Sequence, residues 1–262
     1  MDKTKNRPMK PVHGKKNFVT AVVANHGGEI FDLHGYAAAV IAGSSLIPLT
    51  LDDTIHMPFG GELMMMPDRK PVLYNIGNHR FEILDKNPYT PGEPIFPVAA
   101  FNSPGFVISY VTAYRENTAA GYLPLFSYGA VGWHKGKFRS AVIRVDRERR
   151  QDLRLMKTED VVAGIGDIQK KMPDNRLETH LEKCAMEYGC PAAKNFFLRR
   201  HEAPLPTSHS CNARCLGGLS LQKISGIPHS QARINFTPSP SEIAEVALLH
   251  IRRVKQSVVS FG

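Results

Sequence analysis

Tryptophan occurs once and cysteine only four times in 262 residues. Residues 36–51, the most apolar stretch, are too few to span a bilayer and are broken by Gly43, Ser44, Ser45 and Pro48. A secretory leader is not expected either, because residues 1–16 are polar and basic with no apolar core behind them. The expected location is therefore the cytoplasm. There, four cysteines serve as thiols or metal ligands, not as a disulfide framework. Internal repeats and low-complexity tracts are absent. So is any basic stripe interleaved with aromatics. The net charge is +9, but the cations are scattered and mixed with acids, as in Arg144-Val-Asp-Arg-Glu-Arg-Arg150. A solvated surface explains this pattern better than a nucleic-acid interface does. Spacing singles out no Ser/His/Asp set and no carboxylate pair.

The residues that are present describe an ordinary globular chain, 42% apolar and 22% charged. Its 19 prolines and 21 glycines favour short elements and many turns. The expected fold class is α+β, with a flexible basic tail over residues 1–16 and a β-rich domain over residues 17–150. In that domain residues 18–23 read as a strand, Asn25-His-Gly-Gly28 as a turn, and residues 29–33 as the returning arm of a hairpin. Residues 105–114 are rich in β-branched and aromatic side chains and read as one strand. Residues 130–133 and 138–145 flank His134-Lys-Gly-Lys137 as a second hairpin. Phe59-Gly-Gly61 reads as a turn, and Met64-Met-Met66 as core or edge packing.

The rhythm changes after Arg150, where a helical connector is expected over residues 151–202. Thr158 is placed to cap a helix running toward Met172, and Pro173 ends it. Asp174 is placed to cap the next, which sets Leu177, Leu181, Cys184, Ala185 and Tyr188 on one face, with Gly189 as its stop. Over residues 203–262 the pattern becomes strand, loop, helix, strand, one βα step of a parallel sheet or barrel. Ser239-Pro-Ser-Glu242 combines a capping box with proline at the first helical position. An apolar strand follows at residues 257–261.

Between those strands stands Pro206-Thr-Ser-His-Ser-Cys-Asn-Ala-Arg-Cys-Leu-Gly-Gly218, followed by Leu-Ser-Leu-Gln222. Two cysteines four apart in a loop after a strand resemble the opening of the CxxxCxxC motif of the radical S-adenosylmethionine (SAM) superfamily. The resemblance is closest over residues 174–262. It takes in Cys184-Ala-Met-Glu-Tyr-Gly-Cys190, the run from Asn195 to Leu198, and the closing Val-Val-Ser-Phe-Gly262. It implies that residues 203–262 open a (β/α) barrel, of which this chain is expected to carry only the start. It further implies that Cys211 and Cys215 ligate a [4Fe–4S] cluster whose open iron binds SAM, on the way to a 5′-deoxyadenosyl radical. The substrate is not specified by these residues. Gly218 departs from the pattern: it stands where the family places its third cysteine, and glycine offers no ligand atom.

Other readings stand beside this one. The β-rich domain could belong to a non-catalytic binding module. His209, Cys211, Cys215 and Cys190 could form a zinc site, although their spacing fits no common zinc module. Cys184, on an apolar helical face, reads as a core residue. A barrel that opens and goes no further leaves a strand edge and apolar helix faces bare, so dimerisation through that edge, aggregation, or packing against the β-rich domain is expected to cover them.

Overall fold

A computed structural model describes residues 17–124, 127–210, 228–229 and 231–262. The expected basic tail lies outside the described residues, and so do Cys211, Cys215 and Gly218. Fourteen strands come first in chain order: β1 (Thr20–Asn25), β2 (Ile30–Ala42), β3 (Ser45–Pro48), β4 (Ile55–His56), β5 (Glu62–Met65), β6 (Arg69–Asn75), β7 (Arg80–Ile83), β8 (Ile95–Phe101), β9 (Phe106–Ile108), β10 (Val111–Thr112), β11 (Tyr114–Glu116), β12 (Val131–His134), β13 (Lys137–Ser140) and β14 (Val142–Arg144). Then follow α1 (Thr158–Gln169), α2 (Arg176–Met186), α3 (Pro191–Phe197), β15 (Glu202–Leu205), α4 (Pro240–Arg253) and β16 (Val258–Phe261). The described chain is thus α+β, with β1–β14 before Arg150 and the four α-helices, together with β15 and β16, after it. None of these helices is long and apolar enough to cross a membrane.

Strand β2 organises the β-rich part. Its first half pairs antiparallel with β1, its middle with β6, and its last residues with β3 and β10. The β1–β2 register jumps between Ala21↔Leu33 and Thr20↔Ala37. Such a bulge bends the strand and lets one long element serve several neighbours. The expected hairpin at residues 130–145 forms between β12 and β13, around Lys135 and Gly136. Many buried side chains here are small, including Ala21, Ala24, Ala37, Ala39 and Ala100, and the buried residues gather into several small clusters. Met66 is fully buried, as core packing required.

Residues 105–114 are not the single strand that composition suggested. Phe106–Ile108 pairs with β14, while Val111–Thr112 pairs with β2. The chain changes partner between Ile108 and Val111, and tertiary pairing overrides a uniform local preference.

Helix starts differ from expectation by about one residue. Thr158 is the first residue of α1, and the preceding Lys157 makes no side-chain cap bond. Asn175, rather than Asp174, caps α2, its Oδ1 accepting from the backbone N–H groups of Leu177 and Glu178. Ser239 behaves as expected. Its hydroxyl accepts from the Glu242 N–H, and the Glu242 carboxylate accepts from the Ser239 N–H at 2.7 Å. A cap of this kind contributes about 1 kcal/mol. The same carboxylate takes a two-pronged bond from Arg176, at 2.7 and 2.8 Å, which ties α4 to α2. That guanidinium, with the backbone donor of Ser239, pulls the Glu242 carboxyl down to about 2.

The helices expected as a connector share one core with the strands that follow. Ile165 and Ile168 of α1, Leu177 and Leu181 of α2, and Phe196 and Phe197 of α3 pack with Leu205 of β15 and Val246 of α4. Each fully buried side chain of that size contributes roughly 1.5–3 kcal/mol, so this cluster holds the second half of the chain together. Strands β15 and β16 run parallel, in register from Glu202↔Val258 to Leu205↔Phe261, with α4 between them in sequence.

Candidate functional site

The two parallel strands end side by side, and the chain continues the pairing past them. The Thr207 N–H donates to the Gly262 carbonyl at 2.9 Å, and the Gly262 N–H to that of Leu205 at 3.2 Å. At these carboxyl ends lies a half-open cavity of about 270 Å³, walled by α2, the α2–α3 turn and residues 231–234. Ligands of open parallel α/β sheets gather outside the carboxyl ends of the strands, which makes this the candidate site.

Three groups from the helical wall face it. His180 and Cys184 stand one turn apart on α2, and Cys190 opens α3. Four-residue spacing puts the first two on one helix face, and His180 Nε2 lies 3.5 Å from Cys184 Sγ. Burial pushes the Cys184 thiol up to about 11, and the neighbouring Cys190 adds to the effect. Burial also pulls the His180 imidazole below its ordinary value, helped by the Lys183 charge. At neutral pH, then, a thiol faces a neutral imidazole. The Cys184 S–H can donate to Nε2 in the tautomer that carries its proton on Nδ1.

On the strand side, Arg233 fixes the chain after β15. Its Nε donates to the Ser208 carbonyl at 3.2 Å and its Nη2 to that of Ser210 at 3.3 Å. Ser210 directly precedes Cys211 in sequence, so this guanidinium anchors the foot of the cysteine segment. His209, expected as a possible zinc ligand, has its Nδ1 2.9 Å from the Thr237 hydroxyl.

The four cysteines therefore fall into two sets. Cys184 is half-buried and packs against the core, as its helical spacing indicated, and it also faces the cavity. Cys190 faces the same cavity. Cys211 and Cys215 lie outside the described residues. Among the described residues, no three or more His, Cys, Asp or Glu side chains are grouped to hold a metal ion. Sequence reasoning missed two members of the site. His180 was legible, since it precedes Cys184 by one helical turn. Arg233 was not, because its role depends on carbonyls more than twenty residues away.

No protein family, curated protein or solved structure matches the chain.

Proposed function

We propose that the chain is a radical SAM-type protein whose cluster loop is one ligand short. One observation carries this reading: the Cys211/Cys215 segment joins β15 to α4, and β16 then lies parallel to β15. Strand, cysteine loop, helix and parallel strand is the order in which a radical SAM barrel opens. The cavity at the strand ends supports the same reading, since a cofactor held by that segment would belong on this side of the sheet.

The donor set does not fit a cluster with one open iron. Such a cube takes three protein thiolates; the loop supplies Cys211 and Cys215, and Gly218 supplies nothing. The two remaining cysteines, Cys184 on α2 and Cys190 at the start of α3, belong to the helical wall and not to the loop. The protein is therefore read as a degenerate member that holds a cluster poorly and does not turn over SAM alone. After anaerobic reconstitution with iron and sulfide, iron is expected well below four per chain, with no SAM cleavage. Gly218→Cys should raise the retained iron and the charge-transfer absorbance. A stoichiometric cube in the parent chain would overturn this reading of Gly218. Equal and negligible iron in both forms would favour the alternative, a binding module without a cluster.

The expected self-association belongs to the same proposal. Val258 is 51% and Phe261 68% exposed on β16, and Leu248 and Ile251 of α4 are also exposed. Sedimentation is expected to give a mass that rises with concentration, and Phe261→Ser should lower it. A monomer at every concentration would refute that part.

A further inference from the structure

We propose that Cys184 and Cys190 form a reversible redox pair, a disulfide across the α2–α3 turn closed by exchange with a small disulfide of the glutathione class, with His180 as the base for the closing step. Backbone geometry supplies the first argument. The Cys190 N–H donates to the Cys184 carbonyl at 2.9 Å. With standard bond lengths, that bond keeps the two Cα atoms within at most about 6.8 Å, inside the span of about 4.4–6.8 Å that disulfides use. The contact exists because the chain reverses sharply after Met186. Gly189 adopts φ +63°, a left-handed conformation natural to glycine, and so returns Cys190 to the last turn of α2.

Access supplies the second argument. Both cysteines are half-buried free thiols, and both line the cavity at the ends of β15 and β16. Their side chains therefore have open space in which to rotate toward one another, and a small oxidant can reach them. Ser208 and Arg233 line the same cavity.

The chemistry divides the work between the two thiols. Cys184 is held as a neutral thiol by burial, so the first attack falls to Cys190. Its thiolate attacks one sulfur of glutathione disulfide and expels one glutathione, leaving Cys190 in a mixed disulfide. Cys184 then attacks the Cys190 sulfur, passing its proton toward His180 Nε2, and the second glutathione departs as thiol. Overall the protein's two thiols lose two protons and two electrons, and one glutathione disulfide becomes two glutathiones. The product ties α2 to α3 and changes the wall of the cavity, so cavity shape follows the thiol redox poise.

Peptide mapping tests this on the full chain. Reduced protein is treated with glutathione disulfide, alkylated and digested with trypsin. Cys184 and Cys190 fall in one tryptic peptide, residues 184–194, whereas Cys211 and Cys215 fall in two, residues 201–214 and 215–223. A bond between the last two would therefore appear as a cross-linked pair. The expected result is a 184–194 peptide two hydrogens lighter than its dithiol form and free of alkylation. Cys184→Ser should leave one glutathione on Cys190, and His180→Gln should slow conversion of the mixed disulfide by more than about tenfold while leaving its formation unchanged. A doubly alkylated 184–194 peptide after oxidation would overturn the pair. Closure of His180→Gln at the parent rate would overturn the role of His180.

Discussion

Glu178→Gln is expected to gain on the parent protein by about 2 kcal/mol as the pH rises from 5 to 8. Glu178 sits on the buried face of α2, 2% exposed, and its Oε1 has no hydrogen-bond partner among the described residues. Burial pushes its carboxyl up to about 7, and the neighbouring Glu182 charge pushes the same way. In the unfolded chain a glutamate titrates near about 4.3. The folded value is the higher one, so the folded state holds its proton more tightly. The resulting stability is complete below about pH 4 and is lost as the pH climbs through 7. Glutamine has no charge to desolvate and so removes that slope, although its amide still needs partners. Urea unfolding of both forms at pH 5 and pH 8 measures the effect. A gap that stays constant between the two pH values would show that the carboxylate is satisfied in the fold.

Glu178 also illustrates what the sequence could and could not convey. The helical pattern over residues 177–188 was legible, because Leu177, Leu181 and Ala185 repeat at helical spacing and all three are buried. That pattern cannot say that Glu178 is buried beside them, or that Asn195 on α3 is buried with neither side-chain polar atom partnered among the described residues. Local signals carried well elsewhere. The Ser239 capping box, the hairpin at Lys135 and Gly136, and the strand at residues 258–261 each depend on neighbours only a few residues away. Signals that depend on distant partners did not carry. Residues 105–114 divide between β14 and β2, and α3, seven residues long, falls within the expected helical connector but was not read as a separate helix. The candidate site divides along the same line. The His180–Cys184 contact follows from helical spacing, whereas the Cys184–Cys190 approach needed the turn at Gly189. The cysteine pair that opens the motif, Cys211 and Cys215, lies outside the described residues, as does Gly218, which departs from it.

Two glycines on one helix are expected to respond to alanine with opposite signs. Gly164 and Gly166 both lie in α1, and in a plain helix either substitution would stabilise by up to about 1 kcal/mol, since glycine is the poorer helix former. At Gly164 the helix lies against α3. A Cβ there would fall on the Phe197 carbonyl oxygen, with the carbonyl carbon at 3.0 Å and the Phe197 Cβ at 3.3 Å. The obstacle is backbone, which cannot rotate aside as a side chain would, so α1 must move off α3. That movement opens the packing of Val161, Ile165 and Ile168 against Phe196 and Phe197. Overpacking of this kind costs about 1–3 kcal/mol, more than the helical preference returns. A Cβ on Gly166 would meet nothing within 4 Å, so Gly166→Ala should keep the whole gain. Gly164→Val should be worse than Gly164→Ala, because it adds two methyl groups at the same contact and a β-branched side chain to the helix. Urea midpoints of the three variants against the parent decide the matter. If Gly164→Ala were as stable as Gly166→Ala, α1 and α3 could not approach each other this closely in solution.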